Sequence, residues 1–222
     1  MFNFFKKNDA DIQRDVMKEL KWDPSINSDS ISATIKDGIV TLSGSVPHYF
    51  EKCYAEKATQ RVGGVRAVAD ELEVNLQESQ LRSDEDIARV AMDALNWDYQ
   101  VPDGVKVSVE KGWITLRGEV DWDYQRSAAK YAVGSLFGVT NVSNNITLKS
   151  KSINAFDIKN DIEDALKRSS KSEGREIRVE VDGHEVTLSG LVDSLSEMEE
   201  ARMAAWKAPG VSMVKDHMKL AV

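Results

Sequence analysis

The chain has 222 residues, of which 41% are hydrophobic and 30% charged, a balance that excludes a chain dominated by disorder. Its net charge is −8, divided as −3, −4 and −4 over residues 11–74, 84–148 and 156–222. That disfavours nonspecific nucleic-acid binding, which rests on Lys and Arg neutralising phosphates. No apolar run approaches the ~20 residues of a membrane-spanning helix, and with one cysteine, Cys53, no intrachain disulfide can form.

Residues 1–10 read as an N-terminal arm. Phe2, Phe4 and Phe5 precede Lys6 and Lys7, too short an apolar stretch for a secretory signal. The expectation is a cytoplasmic protein, with a periplasmic location as the alternative, and an arm that frays or tucks against another subunit.

The first element after the arm is a helix. Ile12, Val16 and Leu20 recur at i, i+4, i+8 and draw one apolar stripe. Alternation at Ile31, Ala33 and Ile35 then marks a half-buried strand. "KDG" at 36–38 turns the chain, and "DGIVTLSGSV" at 37–46 is the returning strand, with Val40 and Leu42 inward and Thr41 outward. A second helix follows, its inner side made of the small residues Ala55, Ala58 and Val62. Gly64 is expected to end it in a left-handed conformation. The last strand carries Val68, Leu72 and Val74, and Asp70 shares their inward parity, which points to a bulge or a turn.

The same order returns twice. "KGWITLRGEV" begins at Lys111 and "HEVTLSGLV" at His184, so Gly44, Gly118 and Gly190 are spaced by 74 and 72 residues. Each is followed 20 residues later by a second glycine: Gly64, Gly138 and Gly210. The stripe recurs as Ile87, Ala91, Leu95 and as Ile158, Ile162, Leu166. The strand recurs as Val105, Val107, Val109 and as Ile177, Val179, Val181. The small-residue helix recurs as Ala129, Ala132, Leu136 and as Ala201, Ala204, Ala208. Asn144 and Asp216 stand where Asp70 does. Ser83 with Asp86 makes a capping pair at the second copy of the first helix.

The fold class is therefore α+β: three tandem copies of a small α-β-β-α-β two-layer sandwich, at 11–74, 84–148 and 156–222. Each has a mixed three-stranded sheet and two helices, with the third strand parallel to the second after a helical crossover. Short linkers at 75–83 and 149–155 join them.

The "GIVTLSG"-type string, the Gly-Val twenty residues on and the closing alternating strand with its Asp or Asn resemble the BON domain, named for bacterial osmotically induced and nodulation proteins. The resemblance covers nearly the whole chain. It implies a non-enzymatic binding module of osmotic or envelope stress that contacts phospholipid, a membrane surface or protein partners. It carries no fixed catalytic set and no cofactor.

The residues themselves agree. His48, His184 and His217 fall at non-equivalent positions of different repeats, which speaks against a metal or nucleophile site, and no thiol, zinc, nucleophile-elbow or phosphate-loop motif is present. Cys53 reads as an incidental, solvent-facing thiol. What remains is aromatic. "WDYQ" occurs at 97–100 and again at 122–125, and Trp22 is the counterpart of Trp97, where the third repeat has Arg168. Trp22, Trp97, Tyr99, Trp122 and Tyr124 are the candidate lipid- or partner-contact residues, having apolar bodies and polar handles. The competing expectation is that they cap the small cores or pack between repeats. A cytoplasmic scaffold or chaperone-like role, or a potassium sensor, is the alternative function; the oligomeric state is open.

Overall fold

The computed structural model describes residues 7–149, 155–169 and 177–221. Phe2, Phe4, Phe5 and most of the 149–155 linker lie outside them. The chain divides into two compact units, one of residues 1–79 with 193–196, the other of residues 80–192 with 197–222.

The first unit contains the first repeat: α1 (Asp9–Trp22), β1 (Ile31–Lys36), β2 (Ile39–Val46), α2 (Tyr49–Gln60) and β3 (Ala67–Val74). The second unit contains the second repeat, and the third but for residues 193–196: α3 (Asp84–Trp97), β4 (Lys106–Glu110), β5 (Trp113–Val120), α4 (Asp123–Gly134) and β6 (Asn141–Leu148), then α5 (Ala155–Ser169), β7 (Arg178–Asp182), β8 (Glu185–Val192), α6 (Leu195–Trp206) and β9 (Met213–Leu220). Every sheet has the hairpin's return strand in the centre, antiparallel to its first strand and parallel to its last. Val105 and Ile177 fall just before β4 and β7, so the opening strand is one residue shorter in the second and third repeats than in the first.

Each repeat has its own core beneath its helices. Val16, Leu20, Val40 and Leu42 are fully buried in the first, and Ile162, Val179, Val186 and Leu188 nearly or fully so in the third. The small-residue helices sit close to their sheets as expected, but their stripe differs. Ala129 with Val133, and Ala201 with Ala205, are the buried pairs, while Ala132 and Ala204 are half-buried. Val62, Leu136 and Ala208 lie beyond the helix ends, in the turns that follow.

The second glycines correct an expectation. Gly64 does not end α2; it lies four residues past Gln60, at φ +100°. A β-carbon there would stand 2.9 Å from Ile12 Cδ1, and at Gly138 (φ +88°) the same distance from Ile87 Cδ1. The glycine makes room for the first helix of its repeat, besides permitting the left-handed backbone.

Asp70, Asn144 and Asp216 bring a second correction. No bulge interrupts the ladders: β2 pairs with β3 residue by residue from Ile39↔Ala67 to Val46↔Val74. The polar side chains instead serve a free edge. Asp70 Oδ1 accepts from Leu72 N–H at 3.0 Å, Asn144 Oδ1 from Ile146 N–H at 3.3 Å, and Asp216 Oδ1 from Met218 N–H at 2.9 Å. Lys52 Nζ donates to Leu72 O at 2.7 Å and lies 3.4 Å from Asp70 Oδ2. Satisfying edge amides and carbonyls internally removes a template for unwanted pairing.

The hairpin is clamped from the first helix. Asp37 (φ 53°) and Gly38 (φ 76°) form a turn with both central residues left-handed. Asp9, in the first turn of α1, accepts from both of their amides, at 2.8 and 3.0 Å. Asp84 does the same for Lys111 and Gly112 at 2.7 and 2.9 Å. The third repeat has Ala155 at that place and a different turn, Gly183 (φ 56°) with His184. Losing two charge-assisted bonds at a partly exposed site costs about 1–2 kcal/mol. Asp9→Ala is expected to lower the unfolding free energy of the first repeat by that amount, read as a lower urea midpoint with an unchanged m value, and Asp84→Ala to do so in the second.

Candidate functional site

The aromatic residues become exposed because of what ends the helices. Trp22 and Trp97 are the last residues of α1 and α3, and each is followed by an aspartate in extended conformation whose backbone N–H closes the final turn, onto Glu19 O and Ala94 O. The side chain of that aspartate then takes the amide two residues on: Asp23 Oδ1 from Ser25 at 3.0 Å, Asp98 Oδ1 from Gln100 at 2.9 Å. This turn carries the chain toward the sheet and leaves the preceding indole behind. Hydrogen bonds from the Ser25 hydroxyl and amide, joined by the Arg61 guanidinium, hold the Asp23 carboxyl below its ordinary range.

At the other end of α3, Ser83 Oγ accepts from Asp86 N–H at 3.1 Å and donates to Asp86 Oδ2 at 2.9 Å, so the expected capping pair is present. Arg89 donates to Asp86 Oδ1 at 2.9 Å and is the main cause that keeps this carboxyl below its ordinary range.

Trp22 is 84% exposed, Trp97 90% and Tyr99 92%. They do not cap the cores, which corrects that expectation. Tyr124, in the first turn of α4, is exposed as well, while Trp122 is half-buried as the N-cap residue of the same helix. Gln125 Oε1 accepts from both Asp121 N–H and Trp122 N–H at 3.0 Å, fixing the entry of the chain into α4.

The sheet register brings these positions to one end of the second repeat. Val120 at the end of β5 lies beside Leu148 at the end of β6. A β-carbon on Gly118 would meet Gly104 O at 3.0 Å, so the segment from α3 to β4 passes the same end. Trp97 and Tyr99 therefore share it with Trp122 and Tyr124. In the first repeat the corresponding end holds Trp22 and the aromatic start of α2, where Phe50 stacks on Tyr54 at 5.8 Å between centroids and Glu51 accepts from the Asn27 amide. The third repeat has exposed Arg168 in place of the indole.

One aromatic was not anticipated from sequence. Trp206, the last residue of α6, lies under the Arg126 guanidinium, 4.6 Å from the ring centroid, so its face is already used. Arg126 in turn pairs with the buried Asp123.

The remaining chemistry is sparse. His48 is the N-cap residue of α2 and makes no side-chain cap bond there. His184 sits in the hairpin turn with Nδ1 3.3 Å from Gly210 O, and His217 is exposed on β9 opposite Ser189. Among the described residues no group of three or more His, Cys, Asp or Glu side chains is placed to hold a metal ion. Cys53 is half-buried rather than fully solvent-facing. Among the described residues no helix is long and apolar enough to cross a membrane.

The family model for the BON domain matches the chain three times, at residues 8–75, 83–150 and 154–221. No curated protein matches. Among solved structures, the chain is similar to CdsD, a structural protein of the type III secretion system of Chlamydia trachomatis, at 15% identity over 94% of this chain and 91% of that one, with a TM-score of 0.27. A periplasmic domain of the inner-membrane protein PrgH from S. typhimurium matches at 10% identity over 86% of this chain and 94% of that one, with a TM-score of 0.22. Likeness at that level carries no functional argument.

Proposed function

The chain belongs to the BON domain family, and from that premise we propose that it is a non-enzymatic binding protein of osmotic and envelope stress that contacts phospholipid or membrane-associated partners through exposed aromatic side chains, those at one end of the second repeat and, separately, those of the first. The family suggests an envelope-associated binding role. The observation that carries the contact surface is the near-complete exposure of Trp97 and Tyr99 beside Tyr124. Large rings left in water at helix ends, with an indole N–H or phenol to remain hydrated, suit the boundary between headgroups and acyl chains.

Net charge shapes how such contact works. At −8 the protein gains nothing from attraction to anionic lipid, so burial of the rings has to supply the affinity. We place the protein on the cytoplasmic side.

Co-sedimentation with zwitterionic and anionic vesicles tests this. Binding is expected to both, and to survive raised salt on zwitterionic vesicles; no binding to either at low salt would remove the lipid reading.

A further inference from the structure

The three repeats act as controls for one another along the outer edge of the hairpin, and the second departs from the other two. In every sheet the hairpin's first strand is an edge strand. In the first repeat Gln13 of α1 donates to Ala33 O at 2.7 Å, occupying a carbonyl of β1, and Ala33 is buried. In the third repeat the equivalent helix positions hold Lys159 and Glu163, an ion pair at 3.7 Å, and Val179 of β7 is fully buried. In the second repeat Ala88 stands where the first has Gln13, and Met92 where the first has the half-buried Met17. Met92 is 57% exposed, and Val107 of β4 stays half-exposed where Ala33 and Val179 are buried, with Val109 half-exposed like its counterparts Ile35 and Val181. An edge without a polar guard, flanked by uncovered apolar side chains, is a template for one more strand.

The sequence of that edge specifies the strand. We propose that β4 pairs antiparallel with β4 of a second copy of this chain, about a two-fold axis at Ser108. Lys106 then lies opposite Glu110 of the other copy, and Val107 opposite Val109, on both sides of the axis. Among the described residues neither Lys106 nor Glu110 has an ion-pair partner within its own chain. Lys106 also faces Arg117 across its own sheet, a like-charge contact that a nearby carboxylate relieves. The other hairpin edges are less suited: β7 would also pair a basic with an acidic end, Arg178 with Asp182, but would set Glu180 directly against its own copy where β4 has Ser108, and β1 ends in Lys36 with no acidic residue at its start. Five residues of strand with Ala88 and Met92 make a small interface, so the dimer is weak and depends on concentration.

Sedimentation equilibrium of the full chain across the micromolar range tests this. The wild type is expected to move from monomer toward dimer mass. Lys106→Glu and Glu110→Lys each place like charges across the axis and are expected to remain monomeric at every concentration. An equimolar mixture of the two should dimerise again, and so should the double exchange K106E/E110K, which restores self-complementarity and guards against misreading a folding defect. A wild type that stays monomeric, a single exchange that dimerises as the wild type does, or a mixture and double exchange that stay monomeric would each overturn the pairing.

Discussion

Gly44→Ala is expected to destabilise the first repeat by about 2–5 kcal/mol, enough to unfold much of it at 37 °C. Gly44 lies inside β2 at φ +119°, and a β-carbon built on it would stand 2.0 Å from Ser30 O, the carbonyl just before β1. Two costs combine, a backbone conformation closed to L side chains and a contact that only backbone movement relieves. That movement would pull Ile31 away from its register opposite Gly44 and expose the start of the core. A domain of this size has little stability to spare. Gly118→Ala meets Gly104 O at a looser 3.0 Å and is expected to cost less. Gly63→Ala, with nothing within 4 Å of the added methyl and no left-handed φ, is expected to be nearly neutral. Thermal melts of the three variants give the ranking; equal losses at Gly44 and Gly63 would mean that the chain does not approach β2 as described.

The repeated architecture was readable because helix and strand periods differ. Ile12, Val16 and Leu20 fall on one side only at 3.6 residues per turn, and Val40 and Leu42 on one side only at a period of two, so each stretch admits one type of element and one buried face. Topology followed, since the second helix between β2 and β3 is long enough to return the chain for parallel pairing. What stayed hidden depends on the exact place where an element stops. A glycine 20 residues past another looks like a helix end, but α2 closes at Gln60 and Gly64 answers to Ile12 of a different helix. Asp70 broke the parity of an inward row, and no local pattern says that its carboxylate turns back onto the Leu72 amide. The exposure of Trp97 has the same origin. A ring at the last helical position goes wherever the following turn sends the chain, and that was decided by Asp98 and Gln100. The unguarded edge of β4 could be recognised only once the first helix was seen to lie along it, making Ala88 the position of Gln13.

Replacing Trp97 and Tyr99 together by Ala is expected to weaken vesicle binding at least a hundredfold while leaving the melting temperature within about one degree of the wild type. The two parts of the expectation come from the same fact. Side chains 90% and 92% exposed contribute almost nothing to the folded state, so their removal leaves the core of Leu95, Ile114 and Leu116 intact. Against a bilayer the rings would move from water into the interface. A Trp or Tyr offers about 150–250 Å² of surface, and burying half of it at about 25 cal/mol per Å² gives roughly 2–3 kcal/mol for each ring. Two rings then supply about 4 kcal/mol or more, and each 1.4 kcal/mol is a factor of ten. Tyr124→Ala is expected to weaken binding further. Trp206→Ala is the contrasting control: its ring already stacks on Arg126, so it is expected to lower stability without a comparable loss of vesicle affinity. If the Trp97 and Tyr99 double variant bound vesicles as tightly as the wild type, the aromatic end would not be the contact surface. If binding fell only for anionic vesicles and only at low salt, charge rather than ring burial would be carrying it, against the sign of a net −8 protein.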